Sequence, residues 1–172
     1  MANVNNPHGF RPLMRSITGG PAQGSIGAHK IVGVTTALFI GDAVELNGSG
    51  TKPVASIKPA AAGDAIYGVN LIYGAANLAT DHLIVPGDKQ IFECQIDTVT
   101  MAQLQMNAAL VAGAGNALTY VSAHSLNGVA VTNTFAVKLL GLHQSPDNAV
   151  GANARVICMF NKSQFGDQTA GV

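Results

Sequence analysis

The chain has 172 residues, a formal net charge of zero and only 10% charged residues. A chain of this length fits one compact domain that buries roughly 70% of its unfolded surface, so the fold needs no metal or disulfide to hold it together. Neutral charge and few aromatic residues argue against a nucleic-acid-binding protein, which needs a basic patch and stacking rings. Twenty glycines indicate a chain rich in turns.

The few charges are unevenly distributed. Residues 1–41 contain Arg11, Arg15 and Lys30 but no acid, which leaves six bases and nine acids in the remainder, so the net charge is +3 in the first part and −3 in the second. Residues 1–7 have neither a basic start nor an apolar run, and no window approaches the about 18 apolar residues of a membrane span. We therefore expect no signal peptide, no membrane partner and synthesis in the cytoplasm.

Residues 1–28 are predicted to form an extended N-terminal arm outside the packed core. Glycines and prolines interrupt every helix or strand in this stretch, while isolated apolar residues recur along it. Anchors spaced along an extended chain suit binding in a groove of a partner, whereas a disordered terminus is the alternative. The candidate contact residues are Phe10, Arg11, Leu13, Met14, Arg15 and Ile17.

From His29 onward the pattern is one of short strands. Apolar runs at 30–34, 37–40 and 44–46 lead to Asn47-Gly48, a strong hairpin signal. Prolines limit residues 52–59 to an edge strand. Residues 67–73 alternate, and Tyr67, Val69, Leu71 and Tyr73 share one face.

Residues 90–99 give the strongest strand signal and are predicted to organise the domain. Phe92, Cys94 and Ile96 project to one side of an extended chain, and Glu93, Gln95 and Asp97 project to the other. A sheet with one packed face and one solvated face is most often antiparallel. We expect the Phe92 side to share a core with Val69 and Leu71.

The last third of the chain completes the predicted all-β fold. Met101, Leu104, Ala108 and Val111 recur at helical spacing after Thr98 or Thr100 as N-cap, which predicts at most one short helix, although residues 107–111 fit a strand equally well. Asn127-Gly128 predicts a second hairpin, and further strands follow at 135–142 and 155–160. The prediction is a single small β-barrel or sandwich domain over 29–163, followed by a flexible tail at 164–172.

Neither catalytic residues nor a cofactor or metal site is predicted. The five histidines lie in unrelated segments without ligand spacing, and we expect them in surface or loop positions. Gly113-Ala114-Gly115 suggests a phosphate loop, but no Walker lysine follows. Cys94 and Cys158 stand in apolar contexts and are expected to be buried free thiols.

Several segments resemble a family of tailed-bacteriophage structural proteins. They are N-V-N-N-P-H-G-F-R-P-L from Asn3, A-L-F-I-G-D-A-V from Ala37, Y-G-V-N-L from Tyr67, A-T-D-H-L-I-V from Ala79, F-E-C-Q from Phe92 and P-D-N-A-V-G-A-N-A-R-V-I-C-M-F-N-K from Pro146. The resemblance covers nearly the whole chain and implies a head decoration, or cement, protein. Members are small β-rich subunits bound to the outside of an icosahedral capsid, commonly as trimers with extended arms.

The resemblance also implies partners and location. It implies a homotrimer that binds the major capsid protein on the capsid exterior of the virion, without catalytic residues. Residues 86–90, P-G-D-K-Q, depart from the more acidic loop of the family. Two alternatives stay open: another virion component of the neck, tail or fibre, and a small β-barrel ligand-binding module.

Overall fold

The computed structural model describes residues 3–16, 24–30, 34–48, 53–130 and 134–165. For residues 14–16 and Ala130 it describes the backbone only. These residues form thirteen strands and one 3-10 turn, Met101–Gln103, so the prediction of an all-β domain is confirmed. The strands are β1 Arg11–Ser16, β2 Ile26–Lys30, β3 Ala43–Leu46, β4 Ala55–Pro59, β5 Gly68–Asn70, β6 Thr80–Pro86, β7 Gln90–Gln95, β8 Thr98–Val99, β9 Asn107–Val111, β10 Ser125–Ala130, β11 Val137–Leu142, β12 Gly151–Ala152 and β13 Arg155–Phe160.

Five strands close into a barrel in the order β2-β4-β3-β5-β6, and β6 pairs back onto β2. The ladders are antiparallel except between β2 and β4, which run parallel. The sequence-based prediction that residues 52–59 form an edge strand is wrong, because β4 lies between β2 and β3. Pro59 is the last residue of β4, where a missing N–H group interrupts little of the ladder.

The second unit is a six-stranded sheet in the order β1-β7-β13-β11-β9-β10, with antiparallel ladders throughout. An isolated bridge joins Leu126 of β10 to Ile96, the residue directly after β7. The last strand in the order therefore lies beside the second, and the sheet is curled. Within the described residues, β1 has β7 as its only ladder partner and forms the edge of this sheet. β8 and β12 form a separate two-stranded ladder.

Most of the apolar core lies in one cluster that the six-stranded sheet shares with residues of the barrel strands. Phe92, Cys94 and Ile96 are fully buried there, as the alternation predicts, and Val69 belongs to the same cluster, with Leu71 packed against it. The barrel encloses a smaller cluster, and it consists of Ala28, Leu38, Val44, Ile57 and Ile84. The expectation of buried free thiols is met, since Cys94 and Cys158 are both free and buried.

The other face of β7 is not solvated as the alternation predicts. Asp97 is exposed, but Glu93 and Gln95 are only 7% and 3% exposed. The N-terminal segment runs over this face, and Gln95 bonds to it through Asn6 and Val4. A period-two pattern identifies the two faces of a strand but does not show what covers the second one.

Two local predictions are resolved by the tertiary structure. Residues 107–111 form β9, so the helix reduces to the single 3-10 turn. The hairpin predicted at Asn127-Gly128 is wrong, because both residues lie inside β10, where the register with β9 shifts between Asn127 and Ala130. Gly128 has a φ of 56°, the left-handed conformation that glycine supplies at a β-bulge as readily as at a turn.

The predicted arm at residues 1–28 does not lie apart from the core in the described residues. Phe10 is 1% exposed, and its ring centroid lies 5.0 Å from that of Phe160 and 6.1 Å from that of Phe92. β1 pairs with β7, and β2 is a barrel strand. Glycine and proline interrupt helices, but they do not prevent a short edge strand or a single buried ring.

The predicted C-terminal tail is described only in part. Gln164 donates its backbone N–H to Ile66 and accepts the N–H of Leu46 through its side chain, both at 2.9 Å. The ring of Phe165 stacks on Tyr67 at 4.7 Å. These two residues are therefore attached to the barrel, and 166–172 lie outside the described residues.

Candidate functional site

The six predicted contact residues fall into three groups. Phe10 is a core residue and is not available to a partner. Arg11 is exposed on β1, while Leu13 is half-buried and its carbonyl oxygen accepts a 2.8 Å hydrogen bond from Gln90 Nε2. Met14 and Arg15 continue β1, but their side chains, like Ile17 as a whole, lie outside the described residues.

The segment before β1 is fastened to the sheet by side-chain hydrogen bonds. Asn3 donates to the carbonyls of Ala149 and Ala152, both at 2.8 Å, and accepts the Ala149 N–H at 2.9 Å. Gln95 accepts the Asn6 N–H at 3.1 Å and donates to the Val4 carbonyl at 2.8 Å. Arg11 is thus held in place by bonds on its N-terminal side and by the β1–β7 ladder on the other.

The same segment covers a buried carboxylate, Glu93, which faces three nitrogen-bearing side chains. His8 Nε2 lies 3.6 Å from Glu93 Oε1, His143 Nε2 lies 3.7 Å from Glu93 Oε2, and Arg155 NH1 lies 3.9 Å from Glu93 Oε1. These distances exceed direct hydrogen bonds, and His8 Nε2 and Glu93 Oε1 are both buried without a hydrogen-bond partner among the described residues.

The tautomer of His8 sharpens this arrangement. His8 Nδ1 donates to the Gly9 carbonyl at 3.0 Å, so the neutral ring presents the lone pair of Nε2 to the Glu93 carboxylate. Burial lowers the pKa of His8 and the nearby Arg11 lowers it further, while Glu93 acts in the opposite direction. A neutral imidazole and an ionised carboxylate would face each other as two acceptors, and a proton on Nε2 would convert the contact into an ion pair.

A polar cavity of about 310 Å³ opens beside this cluster. Its lining includes Arg11 and Arg155, and Arg155 also pairs with Asp147 at 2.5 Å. Asp147 is exposed, and a hydrogen bond from Ser145, with Arg155 contributing, lowers its pKa. Because Arg155 has a carboxylate partner, Arg11 is the described cation at this edge that remains available to bind another molecule.

A second buried polar network joins the barrel to the sheet. Asp42 Oδ2 accepts the Phe39 N–H at 2.7 Å, and Asp42 Oδ1 lies 3.5 Å from His124 Nε2. His124 Nδ1 accepts the Ala43 N–H at 3.2 Å, so Nε2 carries the proton of the neutral ring. Burial raises the pKa of Asp42 and lowers that of His124, while each group moves the other in the opposite direction.

The barrel wall carries two more histidines. His82 donates from Nδ1 to Asn70 Oδ1 and accepts from Thr80 Oγ1 at Nε2, both at 2.8 Å. Burial lowers the pKa of His82. His29 Nδ1 contacts Asp81 Oδ1 at 2.7 Å.

The prediction that the histidines occupy surface or loop positions is therefore wrong for His29 and His82, which lie in β2 and β6, whereas His8 and His124 lie in loops but are buried. His8, His29, His82 and His124 are buried at 6%, 6%, 2% and 2% exposure. Each is retained in the interior because the tertiary fold places a polar group beside its ring. The His29–Asp81 pair can be traced only from the β2–β6 register, which the sequence does not give.

Ser56 stands opposite His29 in the β2–β4 register, which places Ser56, His29 and Asp81 side by side on three strands. Ser56 and His29 are only 8% and 6% exposed, and Ser56 Oγ has no hydrogen-bond partner among the described residues. A catalytic triad requires a bond from the serine to the imidazole and an accessible nucleophile. This row therefore acts as part of the barrel wall.

Within the described ranges, no group of three or more His, Cys, Asp and Glu side chains is arranged to hold a metal ion. The same part of the chain contains no helix with the length and hydrophobicity needed to cross a membrane. No family model matches the sequence, and no curated protein matches it.

Proposed function

We propose that this chain is a virion structural protein, a capsid decoration or cement protein. In this role it binds the outer surface of a tailed-phage icosahedral head and stabilises it, as a homotrimer on the major capsid protein after synthesis in the bacterial host. The observation that carries the proposal is the likeness of six segments, spread from Asn3 to Lys162, to the decoration family.

The geometry supports a binding role at the edge of the six-stranded sheet. Among the residues that the structure describes, β1 is an edge strand, and an edge presents N–H and C=O groups that a partner segment can meet. Arg11 is exposed on this strand, and a guanidinium group binds a carboxylate through two parallel hydrogen bonds. Many weak contacts of this kind suffice on a shell, because a multivalent subunit multiplies them.

Removal of the N-terminal segment would not test the contact surface. Deleting residues 2–28 would remove Phe10 from the core together with β1 and the first three residues of β2, so a loss of binding would only report unfolding. Point substitutions on the exposed edge avoid this problem. The informative variant is Arg11→Ala, and the matched control is Lys138→Ala, an exposed base on β11.

The experiment mixes each purified variant with capsids stripped of the protein and measures the bound fraction by co-sedimentation. Loss of a charged hydrogen bond of about 1.5–3 kcal/mol predicts roughly tenfold to hundredfold weaker binding for Arg11→Ala and little change for Lys138→Ala. Equal binding by both variants would exclude Arg11 from the contact. If the unmodified protein fails to decorate capsids, the decoration role itself is wrong.

The alternative role as a neck, tail or fibre component is separated by position and copy number. A decoration protein recurs over the whole head, whereas a neck component is present in a dozen copies or fewer. A particle map that shows the chain at capsid three-fold positions would support the trimer. Isolated monomers or two-fold pairs on the shell would contradict it.

A further inference from the structure

The turn at residues 116–121 presents the most exposed large apolar side chain of the described residues. Leu118 is 91% exposed. Tyr120 and Ile40 are two further exposed apolar residues, at 48% and 41%, and the Ile40 N–H donates to the Tyr120 carbonyl at 2.9 Å. Residues 113–123 contain no charged side chain. We call Ile40, Leu118 and Tyr120 the apolar knob.

The turn that carries Leu118 is preorganised. Asn116 Oδ1 accepts the N–H groups of Leu118 at 2.8 Å and Thr119 at 3.3 Å, and the Asn116 carbonyl accepts the Tyr120 N–H at 2.7 Å. The Asn116 N–H in turn donates to Val121 at 2.9 Å. Leu118 is therefore displayed on a closed loop, so a partner binds it without a large ordering cost.

The base of the turn is packed on aromatic rings. The Tyr120 ring lies 4.5 Å from that of Tyr73, which lies 5.4 Å from that of Phe39. A Cβ atom on Gly115 would stand 2.3 Å from the Phe39 ring, so only glycine fits there. Gly113-Ala114-Gly115, which suggested a phosphate loop, thus serves close packing beneath the apolar knob.

A concave apolar site lies elsewhere on the same chain. It is a cavity of about 430 Å³, within the range of about 300–1,000 Å³ that small-ligand sites occupy, and three of its lining residues are exposed apolar side chains. These are Val54 at 41%, Ile72 at 38% and Leu83 at 43% exposure. We call the site defined by these three residues the apolar pocket.

The exposed apolar residues are concentrated in these two features. Of the eleven large apolar residues exposed among those described, three form the apolar knob and three line the apolar pocket. Asp81 is the one residue of the pocket lining with a formal charge, and the other lining residues are mostly apolar. At 91% exposure Leu118 does not occupy the pocket of its own chain, so its insertion into such a pocket requires a second molecule.

We propose that the apolar pocket receives the apolar knob of a second copy of this chain, with Leu118 as the inserted side chain. A projecting apolar side chain and a complementary pocket on one surface generate contacts between identical chains, and these close into a ring when the rotation allows it. The contact is independent of capsid decoration, because it is formed and tested with the isolated protein. Closure by three copies would also supply the trimer proposed above.

The test is disulfide trapping between separate copies. Leu118→Cys protein is mixed with Leu83→Cys protein under mild oxidation, and the mixed dimer is measured on a non-reducing gel. The native cysteines do not interfere, because Cys94 and Cys158 are buried and burial raises the pKa of both thiols. Docking raises the local thiol concentration, so the mixed dimer should form about tenfold faster than in unmatched pairs, or faster still.

In two control pairs one of the cysteines lies at an exposed position outside the apolar knob or the apolar pocket. Met101→Cys replaces the donor side, since Met101 is 70% exposed on the 3-10 turn, and Leu78→Cys, at 55% exposure, replaces the acceptor side. Equal rates for all pairs would overturn the proposal.

A second measurement uses no cysteine. Sedimentation velocity at rising concentration should show self-association of the unmodified protein, its loss in Leu118→Asp and its retention in Met101→Asp. Leu118 is nearly fully exposed, so a substitution there leaves the fold intact. An unmodified protein that stays monomeric at every concentration, or a Leu118→Asp variant that associates as well as Met101→Asp, would contradict the inference.

Discussion

The barrel closes on itself, whereas the six-stranded sheet leaves β1 at an edge. One cluster of five buried residues lies inside the barrel. A cluster of twenty, including Phe10, Phe92 and Phe160, joins the sheet to Ala43, Val69 and Val85 of the barrel strands. A small barrel can be completed by hydrogen bonds that leave no edge, while an open sheet must be held by the apolar area that it buries. We therefore expect stability to depend mainly on the larger cluster, which joins the two units, with the polar contacts at their junction adding to it.

The largest expected effect tests the sheet core. Phe92→Ala should lower the free energy of unfolding by about 3–5 kcal/mol, because the ring is fully buried between Phe10 and Phe160 and the cavity left behind cannot be filled. Urea denaturation followed by circular dichroism measures this loss. The comparison is Ile57→Val in the barrel, for which about 0.5–1.5 kcal/mol is expected. A near-neutral Phe92→Ala would reverse the ranking of the two cores.

The next prediction concerns the junction between the two units. Gly9 has a φ of 71°, and a Cβ atom there would stand 2.4 Å from the Gly41 carbonyl oxygen and 2.6 Å from Ser122 Cβ. Gly9→Ala should therefore destabilise the protein by more than about 1 kcal/mol, since both the conformation and the space are unsuitable for alanine. Thermal unfolding with Gly24→Ala as control checks this, because a Cβ at Gly24 meets nothing within 4 Å. Equal stability of the two variants would show that the backbone around Gly9 can shift to make room for a Cβ atom.

The smallest expected effect is the pH dependence of stability that one buried histidine contributes in each unit. Burial lowers the pKa of His8 in the sheet and of His82 in the barrel below 6.5, so the unfolded chain binds protons first as the pH falls. Stability contributed by the neutral rings is then fully present above about pH 6.5 and is lost as the pH drops below it. At both rings charged neighbours act in both directions: Arg11 lowers and Glu93 raises the pKa of His8, while Lys30 lowers and Asp81 raises the pKa of His82.

An NMR titration of the imidazole signals measures the pKa of each ring. Both rings should titrate below the ordinary value, and His82→Asn and His8→Asn should each reduce the loss of unfolding free energy between pH 7 and 5. A histidine that titrates at or above 6.5 would mean that its buried ring accepts the proton without cost, which for His8 would point to the Glu93 carboxylate as its partner.

The predicted contact site shows how far local reasoning reaches. Arg11 is exposed on β1, and its role in a contact with a partner stays a prediction. Phe10 could not be assigned correctly, since an isolated ring between Gly9 and Pro12 has the same local pattern whether it enters a partner or its own core. Its burial depends on Phe92 and Phe160, which are distant in sequence. The apolar knob gave no signal either, because Leu118 in a short apolar run resembles a strand residue.

The sequence alone determined the all-β class, the core face of β7 and the buried state of Cys94 and Cys158, because these follow from composition and from the period-two alternation of a strand. Only the tertiary structure decided which residues cover the second face of β7, that β4 is enclosed in a barrel and that four histidines are buried. These features arise from pairings between residues far apart in the chain, such as Glu93 with His8 and Asp81 with His29. Local patterns fix which side of an element is apolar, whereas the register between distant strands fixes which polar groups meet.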